Sequence, residues 1–186
     1  PCFHIEPAPG YDRSSYFSRL MSWMKYFFKA LGFVWKQPKD SMLFIVSNPP
    51  FLGIIGLFVK CVRKQRYVML VYDIYPDLLI ALGKLEKGAV SRCWDYFNRI
   101  VYENASQVIT IDQDMVQRLE RKFDVLKTDC QKVICIPTWA DIDVIKPVNK
   151  ERNWFAAKYD LLNKTTILYS GNMGHSHSIE TILEAA

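Results

Sequence analysis

Four short stretches carry the side chains best suited to chemistry, and each directly follows an apolar run. The first is Ser47-Asn48-Pro49-Pro50, where a hydroxyl and an amide sit in a turn stiffened by prolines. It can hold a polar ligand through Ser47 and Asn48, or simply terminate a strand. The second is Asp73-Ile74-Tyr75-Pro76-Asp77, which gathers two carboxylates and a phenol. Asp77 reads either as an acceptor-binding group or as the cap of a helix beginning at Leu78. Asp73 stands immediately beyond its apolar run with no capping role, which makes it the candidate catalytic carboxylate. The third is Pro137-Thr138-Trp139-Ala140-Asp141, a plausible turn. The fourth is Ser170-Gly171-Asn172-Met173-Gly174, leading into a helix. Glycines there let backbone amides approach a ligand closely, and a helix N-terminus favours anionic phosphate. The spacing is Gly-x-x-Gly, which departs from the dinucleotide fingerprint Gly-x-Gly-x-x-Gly. His175 and His177 share this loop, but His4 is distant in sequence and no acidic or cysteine cluster lies beside them, so no metal site is expected.

These stretches need a frame that brings them to one edge. Residues 16–34 carry Phe17, Leu20, Met21, Met24, Phe28 and Leu31 at helical spacing, with Arg19, Lys25 and Lys29 opposite and Tyr16, Trp23 and Tyr26 between. This suits a helix at a membrane interface, where aromatic rings and snorkelling lysines settle together, or a surface helix of an ordinary core. Short apolar strands are expected at residues 43–46, 67–72, 107–111, 132–136 and 165–170. Helices are expected at 51–64, from 78, at 88–104, from the Asp112 cap to 122, as a short piece over 151–159, and from 178. Strands alternating with helices imply βαβ crossovers and a parallel sheet covered on both faces, an α/β class. Ligands of such sheets bind beyond the carboxyl ends of the strands, where the four stretches fall. The irregular residues 137–147 have the character of an interdomain connection.

The chain has 186 residues, half of them apolar, enough for one full core and part of a second. Its five cysteines form no Cys-x-x-Cys pair, so neither a disulfide framework nor a zinc ribbon is indicated, and a reduced, cytoplasmic setting fits. No apolar run approaches the roughly 18 residues of a spanning helix, and no signal peptide is recognisable. The net charge of +5 is local. Residues 13–39 hold six basic residues and no acid, residues 60–66 hold four more, and the remainder is acidic, with 14 basic against 19 acidic groups. A surface facing something anionic follows. The chain opens on Pro1 and closes within an expected helix, which reads as a fragment at both ends.

In order, Ser47-Asn48-Pro49-Pro50, Val71-Tyr72-Asp73-Ile74-Tyr75-Pro76-Asp77, Val108-Ile109-Thr110-Ile111, Val133-Ile134-Cys135-Ile136-Pro137-Thr138-Trp139-Ala140-Asp141 and Leu168-Tyr169-Ser170-Gly171-Asn172-Met173-Gly174 resemble family 4 glycosyltransferases. The closest subgroup comprises the bacterial capsule, O-antigen and colanic-acid enzymes. The resemblance implies a GT-B fold, with an acceptor-side Rossmann-like domain over residues 1–148 and the start of a nucleotide-sugar-binding domain over 149–186, both truncated. It implies transfer with retention of configuration, no metal or cofactor, and a leaving diphosphate stabilised by amides and cations. By similarity Gly171, Asn172 and Gly174 would touch the donor diphosphate. His177 falls roughly where relatives place a lysine, and Asp73 corresponds to an acceptor-side polar residue. The family's first strand and its paired glutamates have no counterpart in this chain.

The expected partners are a nucleotide-sugar, a lipid-linked sugar acceptor and an anionic membrane surface on the inner face of the cell membrane. Nucleic acid is not among them. A noncatalytic acceptor- or membrane-binding module and a nucleotide-sugar epimerase are the competing readings. The aromatic, basic segment before Pro38 has no obvious purpose in a soluble epimerase.

Overall fold

The computed structural model describes residues 7, 9–10, 15–122, 132–171 and 179–185. The chain divides into two units, Pro1–Pro137 and Thr138–Ala186.

The first unit begins with helix α1 (Tyr16–Lys36), capped by Ser15, whose hydroxyl accepts from Ser18 N at 3.1 Å. Then follow β1 (Leu43–Val46), α2 (Gly53–Arg63), β2 (Tyr67–Val71), the short α3 (Asp77–Ala81), α4 (Ala89–Asn104), β3 (Gln107–Thr110), α5 (Gln113–Lys122) and β4 (Val133–Cys135). The four strands form one parallel sheet in the order β1-β2-β3-β4. The α/β class and the Rossmann-like parallel sheet read from the sequence are therefore observed.

The register explains where the core lies. Ile45, Met69, Val108 and Val133 align across the sheet, and Tyr67, Val71 and Thr110 share their side by the period of two. This side is buried beneath the helices, with Val101, Tyr102, Val116 and Leu119 packed into it. The other side, with Phe44, Val68, Leu70, Ile109 and Ile134, is only partly covered among the described residues. Cover on both faces was expected. A strictly sequential strand order with right-handed crossovers instead sends every connecting helix to one face.

Helix α2 comes unusually close to that face. A Cβ on Gly53 would stand 2.5 Å from Val101 Cγ1, and one on Gly56 would stand 2.7 Å from Tyr67 Cδ2 and 2.8 Å from Ile45 Cδ1. Both glycines are present because no side chain fits. Two lysines close the far end of α4. Lys60 Nζ donates to Asn104 O, and Lys132 Nζ to Glu103 O. Arg63 does the same for α1, donating to Val34 O at 3.2 Å, Trp35 O at 2.8 Å and Gln37 O at 2.8 Å while lying 5.1 Å from the Trp35 ring centroid. Trp35 in turn meets Phe58 of α2, with centroids 6.2 Å apart. The apolar residues expected on one face of α1 (Phe17, Leu20, Met21, Met24 and Phe28) are exposed, whereas Ser22 is buried.

The second unit contains a single 3-10 turn (Lys150–Arg152), α6 (Trp154–Lys158) and α7 (Ile179–Glu184) among its described residues. The helix expected over 151–159 is split at Asn153, whose side chain accepts from Phe155 N at 3.0 Å and caps α6. The strand expected at residues 165–170 does not form. Its residues are exposed and join no sheet among the described residues, and a strand needs a neighbour to take its backbone hydrogen bonds.

Candidate functional site

The carboxyl ends of the four parallel strands lie along one edge of the sheet, so the loops after β1 and β2 are neighbours. Ser47 is the joint between them. Its backbone N–H donates to Leu70 O at 2.8 Å, and its Oγ accepts from the N–H groups of Tyr72 at 3.0 Å and Asp73 at 3.4 Å. Ser47 is buried, so its hydroxyl sets the position of the β2 loop from within. Asn48 is exposed beside it. The Asn48-Pro49 and Tyr75-Pro76 peptide bonds are both cis.

Asp73 is half-buried, and its carboxylate makes no hydrogen bond or ion pair among the described residues. The Tyr75 phenol titrates above its ordinary value, first because it is buried and second because the Asp73 charge faces it. Asp77 is engaged elsewhere. Pro76 occupies the cap position expected for it, Asp77 is the first residue of α3, and its carboxylate pairs with Lys122 Nζ at 2.9 Å. Lys122 also holds Asp95 of α4, so one ammonium ties α3, α4 and α5 together. Desolvation opposes the Lys122 charge, but hydrogen bonds and attraction from the two carboxylates outweigh it and raise its pKa.

An aromatic stack closes the inner wall. Phe51 stacks on Trp94 with centroids 4.7 Å apart, and Trp94 on Tyr75 at 5.7 Å with the rings 3° from parallel. Phe51 has φ +78°, a left-handed conformation costing a bulky residue on the order of 1–3 kcal/mol and of a kind that clusters at functional sites. Asn98 Nδ2 donates to Tyr75 O at 2.9 Å and holds the loop against α4. Trp94 Nε1 is buried with no partner among the described residues. Beside it lies a cavity of about 20 Å³ lined by Ser47, Tyr75, Asn98 and Tyr102, large enough for one water molecule. At the end of β3, buried Thr110 donates through Oγ1 to Val71 O at 3.2 Å, and Asp112 caps α5 by accepting from Asp114 N at 2.7 Å.

The structure brings the Ser47 and Asp73 loops together, as their places after neighbouring strands implied, and sets beside them Trp94, Asn98, Thr110 and Lys122, which the sequence did not single out. Of the expected donor-binding residues, Gly171 is exposed in the second unit, while Asn172, Gly174 and His177 lie outside the described residues. No group of three potential metal ligands gathers among the described residues.

The chain is 26% identical over 140 residues, 75% of its length, to a protein of Pseudomonas aeruginosa named as a glycosyltransferase, WbjE. It is 30% identical over 126 residues, 65% of its length, to a protein of Escherichia coli (strain K12) named as a colanic acid biosynthesis glycosyl transferase, WcaI. It spans 34% and 30% of these two proteins, about a third of the curated relatives it matches. No family model matches the chain. The resemblance to glycosyltransferases carried by the ordered motifs is borne out by these relatives.

Proposed function

We propose that this chain forms the acceptor side of a retaining glycosyltransferase that moves a sugar from a nucleotide-sugar to a lipid-linked acceptor in cell-surface polysaccharide biosynthesis. The observation that carries the reading is Asp73, an unpaired carboxylate at the carboxyl end of a central parallel strand, held there through its own backbone by Ser47. In the transfer, the bond from the anomeric carbon to the diphosphate oxygen breaks and its electron pair leaves with the diphosphate. The acceptor hydroxyl oxygen forms the new bond, and Asp73, which orients that hydroxyl by accepting its hydrogen bond, takes its proton as the bond forms. Asn48 and Asp77 belong to the acceptor side. Gly171, Asn172, Gly174 and His177 belong to the donor side, with no metal or cofactor of the protein's own.

Localisation at the inner face of the cell membrane is part of the same reading. No helix among the described residues is long and apolar enough to cross a membrane. The exposed Phe17, Met24 and Phe28 with Lys25 and Lys36 suit an interfacial helix, where each basic residue near an anionic surface contributes about 1 kcal/mol.

The test is to express the complete protein and follow release of nucleoside diphosphate from a panel of nucleotide-sugars with a polyprenyl-linked acceptor. Asp73→Asn is expected to lower turnover about a hundredfold while leaving the melting temperature unchanged. A lost fold, or unchanged turnover, would remove Asp73 from the site. Vesicle sedimentation tests the membrane: Lys25→Glu with Lys36→Glu is expected to weaken binding to anionic vesicles about thirtyfold or more at low salt.

A further inference from the structure

Three polar side chains on the walls of the small cavity beside the Asp73 loop leave complementary groups unmatched. Trp94 Nε1 is a buried donor with no acceptor among the described residues. Its direction is fixed, because the indole is stacked between Phe51 and Tyr75, with centroids 4.7 Å and 5.7 Å away. Ser47 is buried, and its Oγ accepts from the N–H groups of Tyr72 at 3.0 Å and Asp73 at 3.4 Å but donates to no described residue. A hydroxyl offers two lone pairs and one hydrogen, so with both lone pairs engaged its hydrogen points away from the loop. Asn98 Nδ2 donates to Tyr75 O at 2.9 Å, while its Oδ1 accepts from no described residue. Ser47, Trp94 and Asn98 all line the cavity of about 20 Å³.

Two free donors and one free acceptor around so small a space select their occupant. A buried water makes about three hydrogen bonds and needs roughly 10–15 Å³, whereas a sugar ring or a phosphate is excluded by volume alone. A dry cavity would leave each buried group with its full desolvation penalty. We propose that one water is held in this cavity, accepting from Trp94 Nε1 and Ser47 Oγ and donating to Asn98 Oδ1, and that Trp94 is thereby a positioning residue for Asp73. The water takes the Ser47 hydrogen and so keeps both Ser47 lone pairs on the Tyr72 and Asp73 N–H groups, and each bond in the chain polarises the next. Without Trp94 Nε1 the water loses one of its three partners, and the hold of Ser47 on the Asp73 backbone loosens. This deepens the transferase reading above and rests on it for the role of Asp73.

The water is testable apart from the activity. The chain is labelled with 15N, and the Trp94 indole signal is the one that Trp94→Phe removes. A nuclear Overhauser effect from water to that indole hydrogen is expected, with the sign of a long-lived contact. Its absence means a dry cavity and overturns the proposal. In the complete protein, followed by nucleoside diphosphate release, Trp94→Phe keeps an aromatic ring in the stack. It is expected to lower kcat about tenfold, the effect of roughly one hydrogen bond, with KM and the urea midpoint close to those of the native protein. Ser47→Ala is expected to lower kcat at least as far, and the double variant no further than Ser47→Ala alone, because Trp94 acts through Ser47. Additive losses in kcat, or a Trp94→Phe effect confined to the urea midpoint, would each overturn the proposal. Transfer by a protein whose Trp94 indole meets no water removes the water site and leaves the enzyme, and a water contact in a protein that transfers no sugar does the reverse.

Discussion

Strand β4 and residues 166–169 are built from the same kind of sequence and meet opposite fates. Val133-Ile134-Cys135 joins the edge of a sheet through Val108, Ile109 and Thr110, and Val133 is buried. Thr166-Ile167-Leu168 is no less β-prone, yet it joins no sheet among the described residues, with Ile167 74% and Leu168 70% exposed. The lesson is that an apolar, β-branched run becomes a strand when a neighbour offers both a hydrogen-bonding edge and a face to bury. The first unit supplies both to β4, while among the described residues of the second unit nothing supplies either.

This contrast can be broken or sharpened by substitution. The largest effect is expected at Gly56, where the first unit has no spare room: Gly56→Val forces Tyr67 and Ile45 apart and should cost about 3 kcal/mol, read as a lower urea midpoint. Tyr67→Phe removes the hydroxyl that donates to Val101 O and should cost about 1 kcal/mol near neutral pH. Its pH dependence carries a sign. Burial, then the nearby Cys61, raises the Tyr67 pKa above 10.0, so the unfolded chain loses that proton first. Stability contributed by the neutral phenol is complete below the ordinary tyrosine value and is lost as pH climbs past it. The native chain should therefore weaken more steeply above pH 10.0 than the Tyr67→Phe variant, as denaturation at stepped alkaline pH will reveal.

A comparable loss, about 1 kcal/mol, is expected for Lys122→Met, because both partner carboxylates are partly exposed and water screens the pairs. A double-mutant cycle with Asp95→Asn isolates the shared part. The smallest effect belongs to the second unit. Ile167→Ser is expected to change the urea midpoint by no more than about 0.5 kcal/mol, and a loss as large as that at Tyr67 would mean the segment is buried after all.

The order of strands and helices was legible because each strand is a short apolar run and each helix a longer periodic one, separated by prolines, glycines and capping residues. The edge that collects the strand-end loops followed from that order, and the neighbouring places of Ser47 and Asp73 with it. What was not legible depends on packing between distant segments. Trp94 and Asn98 sit more than 15 residues beyond the loop they brace, within an ordinary amphipathic helix. Lys122 gives no local sign that it meets Asp77, 45 residues earlier. Asp77 read as a cap because its type and place allowed it, and Pro76 took the position instead. Thr110 looked like one more strand residue until its neighbour's carbonyl was known.

Arg63 has a mechanical consequence. By gripping three carbonyls at the Lys36 end of α1, it makes that end a fixed pivot on the body of the first unit. The 21 residues of α1 form a lever about 30 Å long, so a tilt of roughly 10° at the pivot displaces the Phe17 end by about 5 Å. The position of the exposed Phe17 ring is thus set by the angle at that pivot.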